Sequence, residues 1–164
     1  MPVPRNGVHP VAKPPFKLLG FVSGLLVTPM SLERTRALRR AVLRPHQTLE
    51  QVAAHESADA FAVGAFEDGE LIAVGFVVPD GEPGAWRIRG MATAPASRGR
   101  GAGTAVLDAL IAHASAQGAS RIWCNARLPA RSLYERAGLR VVSERFELPE
   151  IGPHHVMERR LSAT

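Results

Sequence analysis

Apolar residues recur along this chain with two periods, and the switches between them mark out its elements. Leu32, Leu38, Ala41 and Val42 fall on one side of a helix opened by Ser31, with Arg34, Arg36, Arg39 and Arg40 on the other. Pro45 ends it, and residues 48–55 predict a second, short helix. Residues 60–66 and 71–78 then read as strands joined by the turn Glu67-Asp68-Gly69-Glu70. Residues 86–93 form a further strand, mixing Trp86, Ile88 and Met91 with Arg87 and Arg89 and broken at Gly90. The helical period is strongest over 103–117, where Val106, Leu107, Leu110, Ile111 and Ala114 share a face and Gly118 closes the helix. A short buried strand at 121–126 follows, then a helix at 129–137 opened by Pro129 and closed by Gly138. Strands at 139–146 and 154–161 complete the chain. This order predicts a mixed α/β domain, one sheet with helices on its faces.

The least regular stretch lies between the strand at 86–93 and the long helix. It turns at Ala94-Pro95 and runs through Arg98-Gly99-Arg100-Gly101-Ala102-Gly103 into the helix. A Gly-rich turn from strand to helix is an anion site on physical grounds: backbone approaches closely and the first helical N–H groups are unpaired. Arg98 and Arg100 add positive charge beside it. It is not a P-loop, since GxxxxGK[ST] is absent. Nor is it a dinucleotide fingerprint: Thr104 stands where the third glycine belongs and no acidic residue lies about 20 positions on.

The loop resembles the acetyl-coenzyme A loop of the GNAT acetyltransferase superfamily, (Q/R)-x-x-G-x-(G/A), filled by Arg98, Gly101 and Gly103. Met91-Ala92-Thr93-Ala94-Pro95 is similar to that family's strand end, and Ala130-Arg131-Ser132-Leu133-Tyr134-Glu135-Arg136-Ala137-Gly138-Leu139 to its A-x-x-(L/F)-Y-x-x-x-G-(F/L) segment. The resemblance covers roughly residues 30–161 and implies a GNAT-like α/β (α+β) fold. That fold is a single domain at 30–164 with a mixed, mostly antiparallel sheet of six to seven strands and about four helices. Residues 1–29 become an N-terminal extension, either poorly ordered or adding a strand. The resemblance further implies N-acetyl transfer from acetyl-CoA to a small-molecule or protein amine, by direct attack in a ternary complex. The amides of Gly99, Arg100, Gly101, Ala102, Gly103 and Thr104 would hold the pyrophosphate, with Arg98 and Arg100 alongside. The backbone of Met91, Ala92 and Thr93 would pair with the pantetheine arm. Tyr134, the chain's one tyrosine, would protonate the departing sulfur, which suits a phenol of pKa ~10.

The chain departs from the family's pattern where an asparagine is usual and Arg127 stands, a position the resemblance still implies for donor binding. Asn125 either takes over part of that hydrogen bonding to the donor or satisfies backbone at a strand end. The strand at 86–93 also carries no carboxylate to serve as general base. Candidates elsewhere are Glu144, Glu147, Glu150, His154 and His155. Adjacent strand residues face opposite sides, so at most one of the two histidines points at a substrate. Transfer through water is the alternative. Glu147, Glu150 and the early helices would shape the acceptor site.

Composition adds bounds. The 164 residues suffice for one domain, 46% apolar and 21% charged. The net charge is +5, with lysine only at Lys13 and Lys17 and arginine otherwise. A basic balance fits nucleic acid, an anionic membrane or a polyanionic ligand. Coenzyme A, with three phosphates, is a sufficient reason, and scattered arginines argue against a nucleic-acid face. Cys124, the single cysteine, excludes internal disulfides and, with no A-x-A-like cleavage site after the apolar segment 16–30, points to the cytoplasm. That segment is too short to span a bilayer at roughly 20 residues; residues 16–27 could cover a second copy in a homodimer as easily as the chain's own sheet. No histidine or cysteine spacing suits a metal. Two rival functions remain: an acyl-CoA sensor without turnover, kept open by Arg127 and the missing carboxylate, and a small basic nucleic-acid binder.

Overall fold

The structure, a computed structural model, describes residues 20–162. The proline-rich stretch 1–15 and the start of the apolar segment, 16–19, lie outside the described residues. Chain order is β1 (Phe21–Val22), β2 (Leu25–Met30), α1 (Leu32–Leu43), α2 (Leu49–Ala53), β3 (Phe61–Glu67), β4 (Glu70–Pro79) and β5 (Ala85–Thr93). Then come α3 (Ala102–Ala116), β6 (Arg121–Arg127), α4 (Arg131–Arg136), β7 (Arg140–Val141), β8 (Phe146–Leu148) and β9 (Gly152–Arg160). One sheet runs β1-β2-β3-β4-β5-β6-β9-β7, with β8 also on β9. Every pairing is antiparallel except β5 with β6.

The sheet has nine strands rather than six to seven. One reason lies at the predicted strand 139–146, which splits into β7 and β8. There the Ser143 hydroxyl accepts the Val156 amide at 2.8 Å in place of a ladder carbonyl. The other lies before residue 30. β2 pairs with β3 from Leu26↔Phe66 to Met30↔Ala62 and buries Leu25 and Val27. Residue 30 is therefore the last residue of a sheet strand.

Helix α3 covers one face. Its Val106, Leu107 and Leu110 are fully buried against Val63, Ala73, Val77, Ile88 and Ile122, and this is the main core. Helices α1 and α2 cover the other face, over a smaller cluster of Ala62, Phe76 and Val78. Here periodicity misplaced a residue. Arg39, assigned to the polar side of α1, is 5% exposed, while Ala41 is exposed. Burial is tolerated because the Arg39 guanidinium stacks 4.8 Å from the Phe76 ring and donates to Glu56 at 2.6 Å, to Thr35 and to the Val52 carbonyl.

Two irregularities position the site. β5 and β6 pair only where Ala85, Trp86 and Arg87 meet Arg121, Ile122 and Trp123. Beyond that β5 stays with β4 to Thr93 while β6 follows β9 to Arg127, so the two strands splay into a V. In the same stretch Gly90 and Met91 together oppose Gly75, a β-bulge between Phe76↔Arg89 and Val74↔Ala92. Gly90 takes φ +64°, and a Cβ there would lie 2.6 Å from the Phe76 ring, so no other residue fits without strain.

Candidate active site

A cleft of about 880 Å³ opens in the V between β5 and β6. One wall is built by the end of β5, the loop 97–104 and α4; the other by α1, α2, the upper part of β5 and the outer face of β6 and β9.

The α3 wall is mostly backbone and small side chains. Gly101 is the N-cap of α3 in the left-handed region, φ +80°, and the first helical bond runs from the Ala105 amide to the Gly101 carbonyl. The amides of Ala102, Gly103 and Thr104 precede that bond and have no intrahelical acceptor. Gly103 sits close under Thr93, whose hydroxyl would be 3.3 Å from a Cβ there. Ser97, Arg98, Gly99, Gly101, Ala102, Gly103 and Thr104 all line the cleft. Arg100 does not: it is turned outward and ion-paired with Glu67 on β3. Met91, Ala92 and Thr93 line the cleft along the edge of β5 that β6 has left.

Tyr134 comes from α4, is 6% exposed, and reaches the cleft beside Cys124. Burial, followed by the neighbouring Cys124, pushes the phenol well above its usual range, so the hydroxyl stays protonated. Burial likewise pushes the Cys124 thiol up to about 12, only partly offset by its hydrogen bond with Tyr134. Cys124 is a buried core thiol rather than a nucleophile.

Alternation along β6 sends Cys124 and Ala126 to the α3 side and Asn125 and Arg127 to the α1 side. Arg127 donates to the Leu43 carbonyl at the end of α1, 3.0 Å away. Of the two adjacent histidines, His154 opposes Arg127 and lines the cleft; His155 does not, and its Nδ1 lies 3.3 Å from the Ser143 carbonyl oxygen. His154 Nδ1 is 2.7 Å from the Gly152 carbonyl, which can only accept. Nδ1 is therefore a donor, and in the neutral ring Nε2 is the acceptor. Glu144, Glu147 and Glu150 do not line the cleft; Glu147 pairs with Arg145 and Glu150 with His46.

Sequence reasoning did not assemble the α1 wall. Arg39, Arg44, Arg87, Arg89 and Arg127 converge there, with Val42, Leu43 and His55, and no aspartate or glutamate among the described residues lines the cleft. Burial, then the neighbouring Arg87, Arg39 and Arg44, holds Arg89 below its usual range, and burial does the same to Arg44 and Arg127. The alternation of Arg87 and Arg89 on the strand was the available signal.

The family model described as Acetyltransferase (GNAT) family matches residues 19–139. An uncharacterised N-acetyltransferase of Bacillus subtilis (strain 168), YitI, is 35% identical over 144 residues, 84% of this chain and 97% of that protein. Among solved structures, the ribosomal-protein-S18-alanine N-acetyltransferase of Escherichia coli superposes with a TM-score of 0.70 at 15% identity, over 85% of this chain and 96% of that one. An acyl-CoA N-acyltransferase of Pseudomonas aeruginosa gives 0.67 at 23%, over 82% and 99%. These two likenesses concern the fold.

Proposed function

Since the chain belongs to the GNAT acetyltransferase family, we propose that it transfers an acetyl group from acetyl-CoA to a primary amine by direct attack. The observation that carries this is the meeting, in one cleft, of the free amides of α3, the unpaired edge of β5 and the protonated Tyr134. The α3 amides and Arg98 would bind the donor's phosphates. The open edge of β5 at Met91, Ala92 and Thr93 would take the pantetheine arm as an added strand. The acceptor, entering from the α1 wall, loses a proton and its nitrogen attacks the thioester carbon. The tetrahedral adduct collapses with cleavage of the C–S bond, and Tyr134 delivers its proton to the departing sulfur. His154 is the group best disposed to take the acceptor's proton, directly or through water, because in the neutral ring its Nε2 is the acceptor and no carboxylate competes.

Calorimetric titration of acetyl-CoA tests the reading. The wild type should bind in the micromolar range, and Gly101→Glu should lose at least a hundredfold. A side chain at Gly101 would meet no neighbouring atom, so the variant should fold and report on the added carboxylate and the strained φ. Absence of binding to folded wild-type protein would remove the proposal.

A further inference from the structure

The cleft pairs a phosphate-ready end with a second cationic centre that a thioester donor does not explain. Arg44, Arg87, Arg89 and Arg127 cluster on the α1 wall, and none has a carboxylate within ion-pairing distance among the described residues. Other arginines of the same fold are treated differently: Arg39 and Arg36 share Glu56, Arg100 has Glu67 and Arg121 has Glu158. Arg44 and Arg127 spend one hydrogen bond each on the same carbonyl, that of Leu43. The Arg87 guanidinium carbon lies over the Trp123 ring, 4.7 Å from its centroid, and its Nε is buried with no hydrogen-bond partner. Asp80, whose charge favours the Arg89 cation, accepts from Trp123 Nε1 at 2.7 Å. Guanidiniums gathered in a half-buried cleft without an ion-paired carboxylate repel one another and are desolvated, a state that an entering anion relieves.

The anion is not the donor's pyrophosphate. Arg89 and Arg87 precede Thr93 by four and six positions on one strand. At a rise of about 3.3 Å per residue they stand roughly 13 to 20 Å from the loop that follows β5.

We infer that the acceptor is an oxyanion-bearing small amine, its carboxylate or phosphate gripped by Arg44, Arg87, Arg89 and Arg127 on the α1 wall while its amine faces the open edge of β5. This deepens the acetyltransferase reading and rests on it. Planar guanidiniums accept carboxylates and phosphates in the same bidentate manner, so both sources fit. The cluster does a second job. Its positive potential lowers the pKa of a nearby ammonium, so more of the acceptor arrives neutral, which offsets the missing strand carboxylate. The same potential excludes polyamines and other polycations.

The experiment uses acetyl-CoA-loaded full-length protein and matched amine pairs: β-alanine with β-alanine amide, and phosphoethanolamine with ethanolamine, with spermidine as the polycation. Turnover is read by thiol release, and binding by the emission of Trp86 and Trp123. The anionic member of at least one pair should exceed its partner at least tenfold in kcat/KM or in affinity, and which pair does so separates carboxylate from phosphate. Arg89→Gln should abolish that preference while acetyl-CoA affinity stays within twofold; Arg44→Gln serves if Arg89→Gln fails to fold. Equal responses within both pairs, no response in either readout, or preferred turnover of spermidine would overturn the inference. In each of those cases intact acetyl-CoA binding would leave the acetyltransferase reading standing.

Discussion

The two walls of the cleft are made from different materials. The α3 wall uses main chain: three amides ahead of the first helical bond, a strand edge without a partner, and glycines where a side chain would be strained or crowded. The α1 wall uses side chains brought from α1, β5, β6 and β9. A backbone site recognises what every donor of one class shares, because amides are fixed by the fold. A side-chain site can be rewritten residue by residue, and that is where an acceptor would be chosen.

The contrast can be tested where it is most lopsided. Glu56 supplies the counter-ion that makes Arg39 the paired member of the α1 wall. Glu56→Ala would leave that cation buried beside Phe76, and should destabilise the protein by about 3–5 kcal/mol in denaturant unfolding. Burial pushes the Glu56 carboxyl up, but the hydrogen bonds from Arg36 and Arg39 outweigh it and hold the group below its usual range. A depressed carboxylate stabilises the fold above its unfolded value of about 4.3, and loses that contribution as pH falls through the folded value. The wild-type melting temperature should therefore drop below about pH 4, and the Glu56→Ala curve should be flatter there. A small effect would mean that the α1 wall tolerates unpaired arginines generally.

Next in size is Tyr134→Phe, expected to lower kcat about a hundredfold with acetyl-CoA affinity unchanged. Because the phenol is pushed up, the acid form persists, and kcat should show no alkaline fall from this group at or below about pH 10. A loss confined to KM would make Tyr134 part of the binding wall only. His154→Gln should lower kcat/KM about tenfold; an unchanged kcat/KM would assign the proton to water. The smallest effect belongs to Arg98→Ala, which should weaken acetyl-CoA binding only a few-fold, and less so at high salt, since exposed charges are screened.

The same contrast explains what could be read from sequence. The α3 wall is contiguous, so the spacing of Arg98, Gly101, Gly103 and Thr104 carries its geometry almost directly. Helix α3 was equally legible: its five predicted core residues are all buried because one amphipathic stripe meets one sheet face. The α1 wall depends on long-range placement. Arg44 and Arg127 are 83 positions apart yet share the Leu43 carbonyl, and no local period encodes that. Arg39 was misread for a related reason. Periodicity assigns a charge to solvent unless the partner is known, and Glu56 lies beyond the intervening helix α2. Arg100 was expected to set its charge beside the loop, but Glu67, distant in sequence, turns it outward.

The bulge at Gly90 and Met91 is a change of parity. Before it, odd-numbered residues of β5 face α1: Arg87 opposes Val78 and Arg89 opposes Phe76. After it, odd-numbered residues face α3: the sulfur of Met91 lies over Gly75 among Val106 and Leu110, and Thr93 approaches Gly103. One inserted residue thus lets a single strand serve both walls with the same alternation. Losing Gly90 would shift the reading frame of the strand, carrying Arg87 and Arg89 beneath α3 or Met91 and Thr93 beneath α1. Substitutions on either side would alter one wall at a time, so the length of β5 is less free to change than its letters.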